Sequence, residues 1–174
     1  MPTTGPIIAN AAQFSIMYAE SLLKGVTREH FARFAVVNGQ VVRSNHPAFV
    51  LGHLNLYTSR VMTMLALPEG NTARPAGWEA LFKAGVECAD DPQGTLYPAM
   101  ETLVDFYFAS HKTAIDAVRQ ASDETLQRPN PAEGRFKELL PTVGGAVNFL
   151  LTGHPMSHLG QVSAWRRMIG LPPA

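Results

Sequence analysis

The chain of 174 residues has a single cysteine, no excess of either charge and no apolar run of the ~18 residues that a membrane-spanning helix needs. One thiol, Cys88, closes no internal disulfide. Glu87 and Asp90 lie beside it, and acidic neighbours disfavour a thiolate, so Cys88 reads as a small half-buried residue rather than a nucleophile. Lys plus Arg equals Asp plus Glu at 14 each, so the basic patch that marks a nucleic-acid partner is not expected. The same neutrality leaves little repulsion against self-association. Met1 to Gln13 holds no basic stretch followed by an apolar one, so no signal peptide and no membrane partner are expected, and the expected compartment is cytoplasmic. With 46% hydrophobic and only 16% charged residues, the composition is that of a globular chain, and the length suits one domain spanning 1–174.

What is present is helical periodicity. Ile7, Ala11, Phe14, Tyr18 and Leu22 recur at spacings of three and four and predict a first helix with that apolar stripe. Thr27 opens a short segment running to Phe34. Val36 to Val42 surrounds Asn38-Gly39, a hairpin signal, but its arms are so short that a tight loop is expected. Ser44-Asn45-His46-Pro47 reads as a helix entrance, leading to a helix up to about Leu67 with the stripe Val50, Leu54, Tyr57, Val61 and Met64. A long connection follows up to Gly94, with one short helix around Trp78 to Ala84. The third helix is expected from Thr95 to Ala121, with the stripe Leu103, Tyr107, Ser110, Ala114 and Val118. After an irregular stretch from Ser122 to Leu140, the last helix covers Thr142 to Ile169 and stops at Gly170. Four such helices, each about 18 to 28 residues, make rods of roughly 27 to 42 Å. The expected fold is all-α, a four-helix bundle, and the long connection suits a crossover that sets helices two and three parallel.

The chemistry resides in the histidines. Of six, His154 and His158 form an H-x3-H pair, which a helix places one above the other on one face. They continue the apolar stripe Val147, Leu150, Leu151, Val162 and Trp165, so they are expected to face the core. Charging two adjacent buried imidazoles is costly, and a metal ion removes the difficulty by holding both neutral. His53 sits beside the stripe of another helix, and bundle metal sites are built from inward side chains on facing helices. A lone core histidine is more often a satisfied hydrogen-bonder, so His53 gains meaning only with partners. His30, His46 and His111 read as loop, surface or packing residues. Pro155 follows His154 directly, and a proline inside a helix removes a hydrogen bond. The run Thr152-Gly153-His154-Pro155 is either a break or a kink, and a kink is expected because the stripe stays in phase.

The stretch from Gly153 through His158, Gly160 and Gln161 to Trp165-Arg166-Arg167 and Gly170-Leu171-Pro172 resembles the last helix of the DinB/YfiT-like metalloenzyme family, with its H-x3-H-x-G-Q pattern, basic residues and G-L-P. Asn45 to Leu54 is similar to that family's second helix, whose histidine supplies a further ligand. The resemblance implies a four-helix bundle with a crossover between helices two and three. It also implies one divalent metal ion, zinc or nickel, on His53, His154 and His158, and a homodimer. It places Gln161 one turn beyond His158 as an outer support of the site, with Gly160 giving room for close packing. Tyr57, one turn from His53, is a second candidate support.

Three protein ligands leave a coordination position open, the pattern of catalytic rather than structural zinc. The residues leave three outcomes open. A small-molecule thiol bound as thiolate would give a thiol S-transferase, which the resemblance also implies. A bound hydroxide would give a hydrolase, with Glu101 and Asp105 as base candidates by helix position. A non-catalytic, stress-associated metal-binding dimer would need neither. Arg60, Arg166 and Arg167 are candidates to hold a carboxylate of a small-molecule substrate or thiol cofactor, set against a solvated or dimer-contact role.

Overall fold

The computed structural model describes residues 2–174, and it is mostly helical. The first rod is α1, Thr4–Leu23. A single turn, α2 (Arg28–Phe31), leads into the strands β1 (Ala35–Val37) and β2 (Gln40–Val42). The second rod consists of α3 (Pro47–Asn55) and α4 (Thr58–Met64). A long connection carrying α5 (Trp78–Phe82) reaches the third rod, α6 (Met100–Gln120). Two short helices, α7 (Asp123–Gln127) and α8 (Arg135–Leu139), precede the fourth rod, made of α9 (Val143–Leu151) and α10 (Gly153–Met168).

The rods pack in two directions. Asn55 near the end of α3 meets Leu103 near the start of α6, while Val61 and Met64 of α4 share a cluster with Ala114 and Val118 further along. The second and third rods therefore run the same way, as the long connection between them requires. Gly5 at the start of α1 lies against Val118 near the end of α6, so α1 runs against them. The fourth rod follows α1, since Ser15 reaches Leu151 and Leu22 accepts a hydrogen bond from Arg166.

Several expectations need correction. The stripe proposed for α1 faces outward: Ile7 and Phe14 are each 69% exposed, and of that stripe only Leu22 is fully buried. The buried face is Gly5, Ile8, Ala12, Ser15, Ala19 and Leu22. Size decides this rather than hydrophobicity, because a side chain at Gly5 would overlap the Val118 carbonyl and only small residues admit α6 so closely. Val36 to Val42 is a true hairpin with three register pairs, and Asn38 and Gly39 both take the positive φ of a tight two-residue turn. The second rod is interrupted at Leu56 and Tyr57, where bonds to His53 and Leu54 tighten the chain to a 3₁₀ turn. The third rod begins at Met100, not Thr95, because the Asp91 carboxylate takes the N–H groups of Thr95, Leu96 and Tyr97 and holds them in a loop. The stripes of the third and last helices are buried as expected.

Candidate metal centre

The site is built on α3, the most enclosed helix of the molecule, in which every residue from Pro47 to Asn55 is buried. Its entrance is held by His46, whose ring accepts the Phe49 N–H and donates from Nε2 to the Ala89 carbonyl at 2.9 Å. His46 is thus a fully buried pin between α3 and the crossover segment, not a surface residue. Asp90 in the same segment accepts from the Arg33 side chain and the Phe34 N–H. These bonds fix the crossover against the start of α3 and against the segment that leads into β1.

One turn further on, His53 Nδ1 lies 2.7 Å from the Phe82 carbonyl of α5. A carbonyl can only accept, so the proton is on Nδ1 and the Nε2 lone pair is free. Gly52 makes this contact possible, because any Cβ there would overlap the Phe82 ring. An isolated glycine inside a helical pattern signals close packing. The carbonyl it admits is main chain and leaves no mark in a sequence.

The other two histidines come from α10. The kink expected at Pro155 is instead a break one turn earlier: α9 ends at Leu151, and Thr152 takes φ −124° and ψ −76°. Pro155 falls in the first turn of α10, where its fixed φ suits the helix and a missing N–H costs little. His154 and His158 lie within α10 and share a face, half-buried rather than deep in the core. The ring centroids are 5.2 Å apart for His53–His154, 4.7 Å for His53–His158 and 4.8 Å for His154–His158. His53 Nε2 and His154 Nε2 face each other at 3.2 Å. One nitrogen from each of the three rings lies within 4.8 Å of the others. A tetrahedral ion with bonds of about 2.0–2.1 Å sets its ligand nitrogens roughly 3.4 Å apart, so the donor set fits a divalent ion.

Burial pushes the His154 pKa down to about 3, helped by the charges that His158, His53 and His111 would carry. Burial also lowers His53, partly offset by the Phe82 carbonyl. Both rings are held neutral, the form a metal requires. His158 Nδ1 lies 3.1 Å from Gln161 Oε1, which also accepts from Asn45 Nδ2 at 3.0 Å. An oxygen already serving as acceptor to Asn45 makes His158 Nδ1 the donor, again freeing Nε2. Tyr57 meets the site through its ring, edge-on to His53 at 5.1 Å and to His154 at 4.6 Å. Gly160 is exposed with open space beside it, so the close packing expected there is not found.

Other candidates lie elsewhere. Arg166 is buried and donates to the carbonyls of Leu22, Lys24 and Pro172, tying the end of α10 to α1, so it is neither solvated nor free for a ligand. Arg167 is exposed, and Arg60 lies over the Tyr57 ring. Glu101 pairs with Arg28 on the surface, and Asp105 is exposed. His111 is fully enclosed in α6 and donates from Nδ1 to the Tyr107 carbonyl, while His30 is exposed. Burial raises the Cys88 thiol to about 11, so it stays protonated, chiefly through desolvation rather than its acidic neighbours.

A cavity of about 600 Å³ opens beside His53 and His158. Phe34, Phe49 and Val86 give it apolar walls, Arg43 and Lys83 bring two cations, and among the described residues Glu87 is its only carboxylate. The volume falls in the range of small-molecule pockets. Sequence reasoning missed Arg43 and Lys83, since the hairpin and the crossover loop bring them together from distant positions.

Helices that bring three histidine nitrogens together beside a cavity form an arrangement compatible with metal binding. The family model of the DinB superfamily matches residues 13–162, and the chain belongs to that superfamily. No curated protein and no solved structure matches it. Among the described residues, no helix is long and apolar enough to cross a membrane.

Proposed function

We propose that the protein is a divalent-metal-dependent enzyme in which His53, His154 and His158 hold one zinc or nickel ion and leave a coordination position open toward the cavity. The observation that carries this reading is the orientation of the rings. Two of them are fixed through Nδ1 by the Phe82 carbonyl and by Gln161, which leaves both Nε2 lone pairs free, and one nitrogen of each ring lies within 4.8 Å of the others. A catalytic ion of this kind, when bound, acidifies a water or thiol at its open position. The chain supplies the rest. Phe34, Phe49 and Val86 exclude water from one side of a small-molecule substrate, and Arg43 and Lys83 take the carboxylate-binding role first sought in other arginines. The thiol S-transferase reading is preferred because the cavity offers cations for an acidic thiol cofactor. Hydrolysis remains the second reading, with Glu87 as the base on the cavity wall.

The four rods are read as a single-domain four-helix bundle with a crossover between the second and third. The unpartnered face of α1, with Ile7, Phe14 and Met17, supports a homodimer, since a chain of zero net charge offers no repulsion against a second copy. The test is metal content and cobalt spectroscopy. About one ion per chain is expected in the native protein, lost in folded His53→Ala and His158→Ala variants. The cobalt form should gain a sulfur-to-cobalt charge-transfer band with a small thiol. A native protein that takes up none of zinc, nickel or cobalt would sink the metal reading. A loaded one that ignores thiols would leave hydrolysis.

A further inference from the structure

A second cavity, of about 500 Å³, opens between α4 and the segment that leads into α8. Arg60, Thr63 and Met64 line it from α4, Ala132 and Glu133 from the segment, and Phe136 from α8. Among the described residues, none lines both this cavity and the one beside His53 and His158. Its volume also falls in the range of small-molecule pockets. Two aromatic rings relate it to the metal centre. Tyr57 touches Arg60 and His154, and Phe149 touches Phe136 and His154. The second cavity thus lies on the His154 side, whereas the first opens at His53 and His158.

The two cavities differ in charge. The first sets Arg43 and Lys83 against Glu87, an excess of one cation that suits an anion. The second sets one cation, Arg60, against one carboxylate, Glu133. A simple anion would be attracted by Arg60 and repelled by Glu133, while a ligand carrying both signs matches both. The two groups are also unspent. They share a cavity without forming an ion pair, and among the described residues neither has an ion-pair partner elsewhere. Arg60 is positioned instead by the Tyr57 ring, with its guanidinium carbon 5.6 Å from the ring centroid. That contact is made with a π face and consumes none of the five N–H donors, which stay available to a carboxylate. Met64 and Phe136 supply the apolar part of the wall, and a methionine adapts to side chains of varied shape.

We propose that the second cavity binds a small amino acid with an apolar side chain, its carboxylate on Arg60, its ammonium on Glu133 and its side chain against Met64 and Phe136. The inference does not rest on the metal reading, because none of the three histidines lines this cavity.

The experiment is an NMR titration of the intact chain with L-phenylalanine, glycine, N-acetylphenylalanine and phenylalaninamide, repeated on Arg60→Gln and Glu133→Gln. Both side chains are exposed, so the variants fold. Phenylalanine is expected to bind in the millimolar range, with amide shifts at Thr63, Ala132 and Phe136. Glycine lacks the apolar group, the acetyl form lacks the ammonium and the amide lacks the carboxylate, so each should bind about tenfold more weakly. Each variant should raise the phenylalanine Kd by a similar factor. Absence of shifts at millimolar phenylalanine would overturn the proposal. Shifts at Phe34 and Val86 instead would assign the ligand to the first cavity and overturn it too. So would an unchanged Kd in either variant, or an acetyl form that binds as well as phenylalanine. The same results are expected with and without zinc. Failure of the metal reading would show as a wild-type chain that takes up no metal yet still binds phenylalanine.

Discussion

His53 and His154 face each other at 3.2 Å, yet the two sides of the site are held in opposite ways. His53 stands on a helix enclosed on every side, with its ring pinned by a carbonyl that a single glycine admits. His154 stands in the first turn of a helix that follows a break, with one ring nitrogen that no protein group among the described residues pairs. The contrast separates what fixes the position of the site from what lets it adapt. The α3 side is set by close packing, which resists change because interiors are dense. The α10 side is set by hydrogen bonds at a helix junction, where a shift of the first turn disturbs little of the core.

The sharpest way to break this contrast is to damage the packed side. Gly52→Ala puts a methyl group into the Phe82 ring, so α5 must move away from α3. Overpacking of this kind costs about 1–3 kcal/mol. The displaced Phe82 carbonyl also releases the His53 proton, so zinc affinity should fall together with the Tm. Calorimetry with and without zinc checks both. A variant that melts like the native protein and binds zinc as tightly would show that the α3 side is not the rigid one.

Acid gives the next largest effect and acts on both sides. His154 and His111 have folded pKa values pushed down to about 3 and about 4, and His53 and His46 are also lowered, in each case mainly by burial. The unfolded chain protonates these rings near 6.5. Below that value the unfolded state binds more protons than the folded one, so stability falls as pH falls. The contribution is complete above about pH 6.5 and is lost on descent toward pH 4 and below. Carboxylates lowered in the folded state, such as Asp123, lose their share only below about pH 4, so the window from 6.5 to 4.5 isolates the histidines. Melting curves of metal-free protein should show a falling Tm across that window. A flat profile there would mean the rings are not held neutral by the fold.

The two sides were unequally legible in the sequence. His154 and His158 stood out by their spacing and the stripe through Trp165, whereas His53, beside a second stripe, joined them through the resemblance of Asn45 to Leu54 to the family's second helix. The stripe of α6 was read correctly because large and small apolar residues there share one face. In α1 the same reasoning chose the outward face, since a hydrophobic count favours Phe14 while close approach to α6 selects Gly5, Ala12 and Ala19. His46 and Arg166 were misjudged for a related reason. Their partners are main-chain carbonyls of remote segments, which carry no residue-specific signal. Tyr57 and Gln161 were both named as supports, but only Gln161 acts through a hydrogen bond.

On the adaptable side, Gln161→Leu removes the acceptor for His158 Nδ1 while keeping the side-chain volume. Loss of such an outer partner typically costs 10–100-fold in metal affinity. Gln161 is exposed, so water can replace part of what is lost and the effect should lie near tenfold, with the Tm of the metal-free protein almost unchanged. Competition titration against a chelator measures it. An effect as large as that of Gly52→Ala would place both sides on the same footing.

The smallest effect concerns the break itself. Where α9 ends, the Leu151 carbonyl has lost its helical donor, and the residue four positions on is Pro155, which has no N–H to offer. Ser15 of α1 stands in, with its hydroxyl 3.2 Å from the Leu151 carbonyl and 2.7 Å from that of Ala12. One proton shared between two acceptors serves each weakly, so Ser15→Ala should cost on the order of 1 kcal/mol. The Pro155→Ala background decides which carbonyl matters. If Ser15 substitutes for the missing N–H, restoring that N–H lets the chain satisfy Leu151 itself, and Ser15→Ala becomes cheaper in the double variant than alone. If Ser15 serves only its own helix through Ala12, the cost is the same in both backgrounds. A coupling energy distinguishable from zero would tie α1 to the junction that carries His154, and it would explain why this buried face tolerates a hydroxyl among alanines.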